Sequence, residues 1–142
     1  MSTRSSILFK VVSIRTGIDI LEVHRMRESI LRTPNLRERL FFESEISFAY
    51  ARANPYGALA ARFCAKEAAM KALGKGMRGA RFREIEVIRL PTGEPTLRFF
   101  GGAKETFLEL GVVSLSVSMS HSETIASALC AFVIDEEVTP RS

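Results

Sequence analysis

Five segments of the chain have the pattern of β-strands, because apolar and polar residues alternate in them or because they are mainly apolar and rich in β-branched residues. The strand-like segments are residues 7–14, 84–88, 96–100, 114–120 and 124–134. Period-two spacing and many β-branched residues favour extended structure in these segments. Turns at residues 91–95 and 121–123 predict two hairpins, and residues 17–20 continue or end the first extended segment.

The spacing of apolar residues elsewhere is typical of helices. We predict helices from about Glu22, from Thr33-Pro34, from Glu45 to Ala53 behind a Ser44 cap, from Tyr56 to Leu73 and from Ala103 to Leu110. Helices in the first half and antiparallel hairpins in the second predict an α+β fold, with the helices packed on the sheet. We expect one domain over residues 1–142, with an N-terminal extension at 1–10 and a frayed tail at 136–142.

The predicted helix from Tyr56 to Leu73 has two contrasting sides. Its alanines fall within one arc of roughly 100° and are Ala58, Ala61, Ala65, Ala68, Ala69 and Ala72. On the other side we place four charged residues, namely Arg62, Lys66, Glu67 and Lys71. These charges are either a solvated surface or a functional face, and the following Gly74-Lys75-Gly76 favours a function because glycines let an anion approach the backbone.

Composition narrows the class of protein. The chain has 142 residues, 46% of them hydrophobic, which suits one folded domain and excludes wholesale disorder. We expect no membrane span, because its longest apolar runs are only a few residues.

Charge is distributed unevenly along the chain. The net charge is +4, but residues 1–83 carry +9 and residues 84–142 carry −5. A basic front half indicates an anionic partner, which could be a nucleic acid, a nucleotide or an acidic protein. The two cysteines, Cys64 and Cys130, lie in apolar segments, and we expect buried free thiols in a reducing cytosol.

Asp19 lies in an apolar context and has two possible roles. It could cap a helix that follows a strand, or it could bind Mg²⁺. One carboxylate on a strand and one on a helix suffice for Mg²⁺, since waters and substrate phosphates fill its other positions.

Three motifs together resemble the holo-acyl-carrier-protein synthases. Residues 17–25 (GIDILEVHR) resemble the opening motif of that family, residues 60–74 (AARFCAKEAAMKALG) resemble its second motif, and residues 117–122 (VSMSHS) resemble its late strand–turn motif. The likeness extends from about Arg15 to Ile134. The loop Gly74-Lys75-Gly76 departs from the Gly-Thr-Gly common in the family, and the chain starts about ten residues early.

The resemblance implies a phosphopantetheinyl transferase fold and activity. Such enzymes move 4′-phosphopantetheine from coenzyme A to a serine of apo-acyl carrier protein, release adenosine 3′,5′-bisphosphate and support fatty acid biosynthesis. It also implies Mg²⁺ dependence, a cytoplasmic location and a homotrimer with active sites shared between subunits. We expect neither nucleic acid nor a membrane as a partner.

The resemblance also implies roles for individual residues. Asp19 and Glu67 would hold Mg²⁺, and Lys71 would lie near the transferred phosphate. The coenzyme A site would include Arg62, Lys66, Gly74, Lys75, Gly76 and His121, the last across a subunit boundary. The residues facing the carrier protein would be Arg25, Arg27 and Arg32.

These roles suit the chemistry of the reaction. Phosphoryl transfer needs cations that neutralise the crowded oxygens and align the reacting groups. The base that accepts the serine proton is either Glu67 or a metal-bound water.

Other interpretations remain open. His121 could be an unremarkable exposed histidine in a turn, and several arginines after Glu22 could be a solvated helix face. The alternative function is a basic nucleic-acid-binding module, and a third possibility is a trimeric scaffold without catalysis.

Overall fold

The computed structural model of the chain describes residues 9–74 and 82–138. Its strands are β1 (Phe9–Glu22), β2 (Ile85–Arg89), β3 (Pro95–Phe99), β4 (Val112–His121) and β5 (Ile125–Val138). Its α-helices are α1 (Val23–Arg32), α2 (Leu36–Leu40), α3 (Glu43–Tyr50), α4 (Tyr56–Leu73) and α5 (Gly101–Glu109). A short 3-10 helix, Phe82–Glu84, precedes β2. The α+β class and both hairpins are confirmed.

Two antiparallel sheets form the β-structure of the described residues. The larger has the strand order β1-β5-β4, and the smaller is the β2–β3 hairpin. In the larger sheet Asp19 pairs with Ala128, and Val117 pairs with Cys130. The long central strand β5 therefore connects the strand that carries Asp19 with the strand that ends at His121.

Helix α4 is the centre of the core. It packs against β1, β5 and β4 through the alanine side that the sequence predicts, and all six of those alanines are buried. Small side chains let the helix approach the sheet closely, which brings its polar residues next to the strands. No helix among the described residues is long and apolar enough to cross a membrane.

The ends of several elements differ from the sequence predictions. Helix α3 begins at Glu43 and not behind Ser44, because the Glu45 carboxylate accepts a hydrogen bond from the Phe42 backbone N–H at 2.7 Å. Strand β5 continues to Val138, paired with Phe9, so the expectation of a frayed tail is wrong for residues 136–138. Residues 139–142 lie outside the described part of the chain.

Candidate active site

The crossing of β1 over α4 brings the first group of site residues together. Gly17 is the contact point, since a side chain there would meet the backbone of Ala68. Two residues further along the strand, Asp19 points towards the helix and retains 20% side-chain exposure. The glycine of the Gly-Ile-Asp motif therefore lets the strand approach closely enough to place Asp19 beside α4.

Lys71 is the cation at this crossing. Its Nζ lies 3.3 Å from Asp19 Oδ1 and donates a hydrogen bond to the carbonyl oxygen of Ile18 at 2.8 Å. About half of the Lys71 side chain is exposed. The ammonium is thus anchored to the strand, yet it remains accessible to an anionic ligand.

Glu67 lies one helical turn before Lys71 on the same side of α4. Burial raises the pKa of its carboxyl, the negative charge of Asp19 raises it further, and Lys71 opposes both effects. Cys64 lies behind the two carboxylates, and burial together with Asp19 raises the pKa of its thiol to about 12. The crossing therefore holds two carboxylates that repel each other and one lysine, above a neutral thiol.

The two carboxylates, Asp19 and Glu67, fit a magnesium ion that takes most of its ligands from water and substrate. Within residues 9–74 and 82–138, no group of three or more His, Cys, Asp or Glu side chains is arranged to hold a metal. A site formed by protein alone, as for structural zinc, is therefore absent from that part of the chain. Two hard carboxylate ligands are what Mg²⁺ takes from a protein when substrate phosphates and waters provide the rest.

A second polar cluster surrounds the ring of Phe48. The guanidinium carbons of Arg52, Arg62 and Arg89 lie 3.7, 4.0 and 4.7 Å from the ring centroid. Together they border a cavity of about 100 Å³, which we call the arginine cavity. Stacking on an aromatic face lets three cations share a small volume.

Arg62 is the buried member of the arginine cavity. Only 4% of the residue is exposed, and its Nε has no hydrogen-bond partner. Burial, with help from the nearby Arg89 and Arg52, lowers its pKa to about 10. Within the described residues none of the three arginines pairs with a carboxylate, so the cavity is strongly positive and suits an anion.

His121 closes the arginine cavity from the end of β4. Its ring lies over the first turn of α4, where a Cβ on Gly57 would come within 2.5 Å of His121 Nδ1. His121 and Arg62 border the same cavity within one chain. A subunit boundary is not needed to bring these two residues together.

The two clusters lie on different sides of α4. Along an ideal helix Glu67 is about 140° and Lys71 about 180° around the axis from Arg62. The prediction of one charged helix face is therefore wrong, because Arg62 turns towards α3 while Glu67 and Lys71 turn towards β1.

Lys66 also does not lie on the charged helix face that the sequence predicts. Its side chain is fully buried, and its Nζ lies 2.7 Å from Glu45 Oε1. Burial lowers the pKa of this ammonium, while Glu45 raises it. Lys66 is enclosed by the core and does not reach a surface, so the expectation that it contacts coenzyme A is wrong.

Arg15 defines the end of α4. Its Nε donates a hydrogen bond to the carbonyl oxygen of Ala72 at 2.6 Å, and its guanidinium occupies the space that a side chain at Gly74 would need. Gly74 has a φ of +84°, which favours glycine. The predicted site residues Lys75 and Gly76 lie outside the described part of the chain.

The three arginines of α1 that were predicted to face the carrier protein lie on two sides of the helix. Arg25 borders an apolar groove of about 270 Å³, which we call the α1 groove; its other walls include Leu21, Met26, Leu36, Leu40 and Phe63. Arg32 lies two turns from Arg25 on the same side, whereas Arg27 is roughly 200° away and lies 6.0 Å from the ring centroid of Tyr56. Leu21 follows Asp19 by two residues, and Phe63 precedes Glu67 by one turn, so the α1 groove adjoins the carboxylates.

Comparison with known proteins identifies the family. The family model described as the 4′-phosphopantetheinyl transferase superfamily matches residues 15–132. A holo-[acyl-carrier-protein] synthase of Moorella thermoacetica is 41% identical over 116 residues, covering 82% of this chain and 91% of that protein. The chain belongs to the holo-[acyl-carrier-protein] synthases of this superfamily.

Solved structures of the family have the same fold. The coenzyme A complex of the Chronobacterium ammoniagenes enzyme is 29% identical with a TM-score of 0.74, covering 84% of this chain and 96% of that one. The Helicobacter pylori synthase in complex with coenzyme A is 28% identical with a TM-score of 0.68, covering 85% and 99%. The resemblance noted from the three motifs is confirmed.

Sequence reasoning missed four residues that the structure adds to the site, namely Arg15, Phe48, Arg52 and Arg89. Arg89 is more than 25 residues from Arg62 along the chain, and only the fold brings it to Phe48. The basic front half was a signal for Arg15 and Arg52, but charge alone does not indicate which arginines converge, and Arg89 lies in the acidic half of the chain.

Proposed function

We propose that the chain transfers 4′-phosphopantetheine from coenzyme A to a serine of apo-acyl carrier protein and releases adenosine 3′,5′-bisphosphate. The reaction depends on Mg²⁺ and supports fatty acid biosynthesis in the cytoplasm. The observation that carries this proposal is the cluster of Asp19, Glu67 and Lys71 at the crossing of β1 and α4. Membership in the holo-[acyl-carrier-protein] synthases supports the same reaction.

Asp19 and Glu67 are the residues that would hold Mg²⁺. A bound magnesium ion would neutralise charge on the pyrophosphate of coenzyme A. Lys71 is the cation that would meet the same pyrophosphate, because its ammonium is held by the Ile18 carbonyl while half of its side chain stays exposed. These residues supply positive charge and alignment, which phosphoryl transfer chiefly requires.

The serine hydroxyl of the carrier protein is the nucleophile. Its oxygen forms a bond to the phosphorus that bears pantetheine, and the bond from that phosphorus to the bridging oxygen breaks. Adenosine 3′,5′-bisphosphate leaves with the bridging oxygen and its electron pair. Glu67 is this chain's candidate for the base that accepts the serine proton, because it is half-buried beside the α1 groove.

The arginine cavity provides a second anion site for coenzyme A. Coenzyme A carries a 3′-phosphate apart from its pyrophosphate, and three cations without carboxylate partners suit that group. Arg62 and His121 are the sequence-predicted members of this site. Structures of two family members are named as complexes with coenzyme A, which supports this ligand.

The carrier protein docks at the α1 groove in this proposal. Arg25 and Arg32 attract an acidic partner, and the apolar walls of the groove receive an apolar side chain from it. The position of the groove next to Asp19 and Glu67 brings the carrier serine to the reacting phosphorus. Arg27 faces away from the groove, so we assign it a smaller part in docking.

We also propose a homotrimer in which neighbouring subunits share each active site. The outer face of the larger sheet is apolar and open, with exposed fractions of 65% at Ile14, 65% at Ile18 and 66% at Ile20. A face of this kind is normally covered by another chain. Because the arginine cavity and the carboxylates lie on opposite sides of α4, one coenzyme A molecule would use the cavity of one subunit and the carboxylates of the next.

The proposed reaction is tested by mass spectrometry of the carrier protein. Wild-type protein mixed with apo-acyl carrier protein, coenzyme A and Mg²⁺ should add the phosphopantetheine mass to the carrier serine. Asp19→Asn and Glu67→Gln should abolish the added mass, since each removes one anionic oxygen ligand. The matched control is Glu109→Gln at the exposed end of α5, which should remain active. An active Asp19→Asn protein would overturn the metal assignment.

The shared site is tested by light scattering and by mixing two impaired variants. Ile14→Glu should yield monomers without activity. At coenzyme A concentrations well below the KM, Asp19→Asn mixed with Arg52→Ala and reassembled should be more active than the mean of the two separate proteins, because some shared sites then contain neither change. Activity in a stable monomer would contradict the shared site.

A further inference from the structure

The buried ion pair between Glu45 and Lys66 joins more elements than any role in coenzyme A binding explains. Lys66 Nζ donates hydrogen bonds to Glu45 Oε1 at 2.7 Å, to the carbonyl oxygen of Leu40 at 2.8 Å and to that of Phe82 at 3.2 Å. An ammonium has three donors, and all three are used. Lys66 therefore connects α4 to the end of α2, to α3 and to the 3-10 helix.

Glu45 extends the same network to two further backbone positions. Its Oε1 also accepts a hydrogen bond from the Phe42 N–H at 2.7 Å, and its Oε2 accepts one from the Val87 N–H at 2.8 Å. Both side chains of the pair are fully buried. Five segments of the chain thus meet at one pair of charges.

Net stability does not explain why two charges occupy this position. Desolvating two charges costs much of the free energy that their attraction provides. A protein with well-packed apolar side chains of similar volume at such positions is often equally stable. A buried pair differs from apolar packing because its hydrogen bonds are directional. Each of them fixes one backbone group at a defined position. The pair is therefore suited to hold neighbouring segments in a defined position.

The segment that most needs such an anchor is α2. It has only five residues, too few to be a stable helix without tertiary contacts. Its Leu36 and Leu40 line the α1 groove together with Leu21 of β1 and Phe63 of α4. The carbonyl oxygen of Leu40 is held by Lys66, the residue directly before Glu67.

We propose that Glu45 and Lys66 are positioning residues that hold α2, and with it one wall of the α1 groove, at a fixed position relative to the carboxylates of α4. This inference rests on the proposed docking of the carrier protein at that groove. It assigns the pair to recognition of the carrier protein and not to coenzyme A. Loss of the pair then weakens carrier docking while the coenzyme A site stays intact.

The test compares Michaelis constants in three variants and in the wild type. The variants are Lys66→Met, Glu45→Gln and the double variant that combines them, and each is measured against wild type with carrier protein and with coenzyme A. Lys66→Met should lower the melting temperature, because it leaves the Glu45 carboxylate buried without its cation. It should also raise the KM for carrier protein by at least about fivefold with little change in the KM for coenzyme A.

The double variant separates positioning from stability. It removes the uncompensated charge, so its melting temperature should recover relative to Lys66→Met, but the Leu40 carbonyl remains without its donor. The KM for carrier protein should therefore stay high. If that KM returns to the wild-type value together with the melting temperature, the pair is only structural and the proposal is overturned.

Two further measurements keep the outcomes distinct. Phe132→Leu removes packing from the buried side of β5, far from α2, and should lower the melting temperature without changing either KM. If Lys66→Met does not fold, the double variant alone gives the comparison, because it removes the donor to the Leu40 carbonyl without leaving a buried charge. Absence of transfer by wild type would overturn the proposed function and this inference with it, whereas normal wild-type transfer with unchanged KM values in the variants overturns the inference alone.

Discussion

A Cβ atom on Gly17 would lie 1.8 Å from the carbonyl oxygen of Ala68 and 3.0 Å from the Cβ of Lys71. The nearest obstacle is backbone in the middle of a helix, which cannot move aside as a flexible side chain can. We therefore expect Gly17→Ala to lower the free energy of unfolding by at least about 2 kcal/mol. It should also reduce transfer strongly, because β1 would shift Asp19 away from Glu67. Chemical denaturation and the mass assay measure the two effects.

Gly102→Ala is the matched control for that substitution. Gly102 lies in α5, and its nearest neighbour would be 3.7 Å from the added Cβ. Because alanine has a higher helix propensity than glycine, the stability of this variant should be unchanged or higher by about 0.5–1 kcal/mol. A Gly17→Ala protein with equal stability and activity would show that β1 and α4 need no close contact at this point.

If the arginine cavity binds the 3′-phosphate, its loss should affect coenzyme A more than dephospho-coenzyme A. Arg52→Ala removes a cation whose guanidinium lies over Phe48, and it should raise the KM for coenzyme A by about tenfold. The same change should matter little for dephospho-coenzyme A, which lacks the 3′-phosphate. Steady-state kinetics with both substrates measure the difference.

Arg98→Ala serves as the control for the arginine cavity, since Arg98 lies on β3 with its guanidinium 3.7 Å from Glu86. It should affect the two substrates equally. If Arg52→Ala weakens both substrates by the same factor, the cavity does not bind the 3′-phosphate.

The α1 groove makes a prediction about the other substrate. Arg25→Glu reverses a charge at the rim of the groove and should raise the KM for carrier protein by about tenfold or more, with little effect on the KM for coenzyme A. The effect should shrink as salt is added, because exposed charges are screened. Arg27→Glu should have a smaller effect, and Lys104→Glu on α5 should have none. Equal changes in both KM values would exclude a docking role for Arg25.

The two thiols predict the response to alkaline pH. Burial raises the pKa of Cys130 to about 12 from its usual 9.0, and Cys64 is raised to the same value. Thiols of the unfolded chain ionise above pH 9, while those of the folded protein stay protonated. The stability that they contribute is therefore present below pH 9 and is lost as the pH rises towards 12. Between these values each thiol should lower the free energy of unfolding by about 1.4 kcal/mol per pH unit.

A thiol reagent and one substitution check this behaviour. The native protein at pH 8 should react with no equivalents of a disulfide reagent, and the protein in guanidinium should react with two. Cys130→Ala should reduce the slope of stability between pH 9 and 12. Rapid reaction in the native state would contradict the burial of Cys64 and Cys130.

Local pattern was sufficient to predict helix α4 and both hairpins. The bounds Tyr56 and Leu73 are those of the sequence prediction, because a proline precedes the helix and a glycine with positive φ ends it. The alanine side was also predicted, since helical periodicity alone defines which residues share an arc.

The surroundings of Lys66 and Arg62 were not predictable in the same way. A helical wheel places Lys66 with the other charged residues, but α3 and the segment before it cover this part of the helix and supply Glu45 as its partner. Arg62 meets Arg89 only because β2 packs on the same region. Long-range partners decide whether a charge on a helix faces solvent, the core or a ligand.

Strand β1 presents different chemistry on its two surfaces. Ile18 and Ile20 project outwards and Asp19 projects inwards, because neighbouring side chains of a strand alternate. A single peptide unit therefore separates the outer apolar surface from a carboxylate of the active site. In the proposed homotrimer a neighbouring subunit covers this surface. A small apolar molecule that takes the place of that subunit against Ile18 and Ile20 would therefore act as an inhibitor without resembling either substrate, and its effect would weaken as the protein concentration rises.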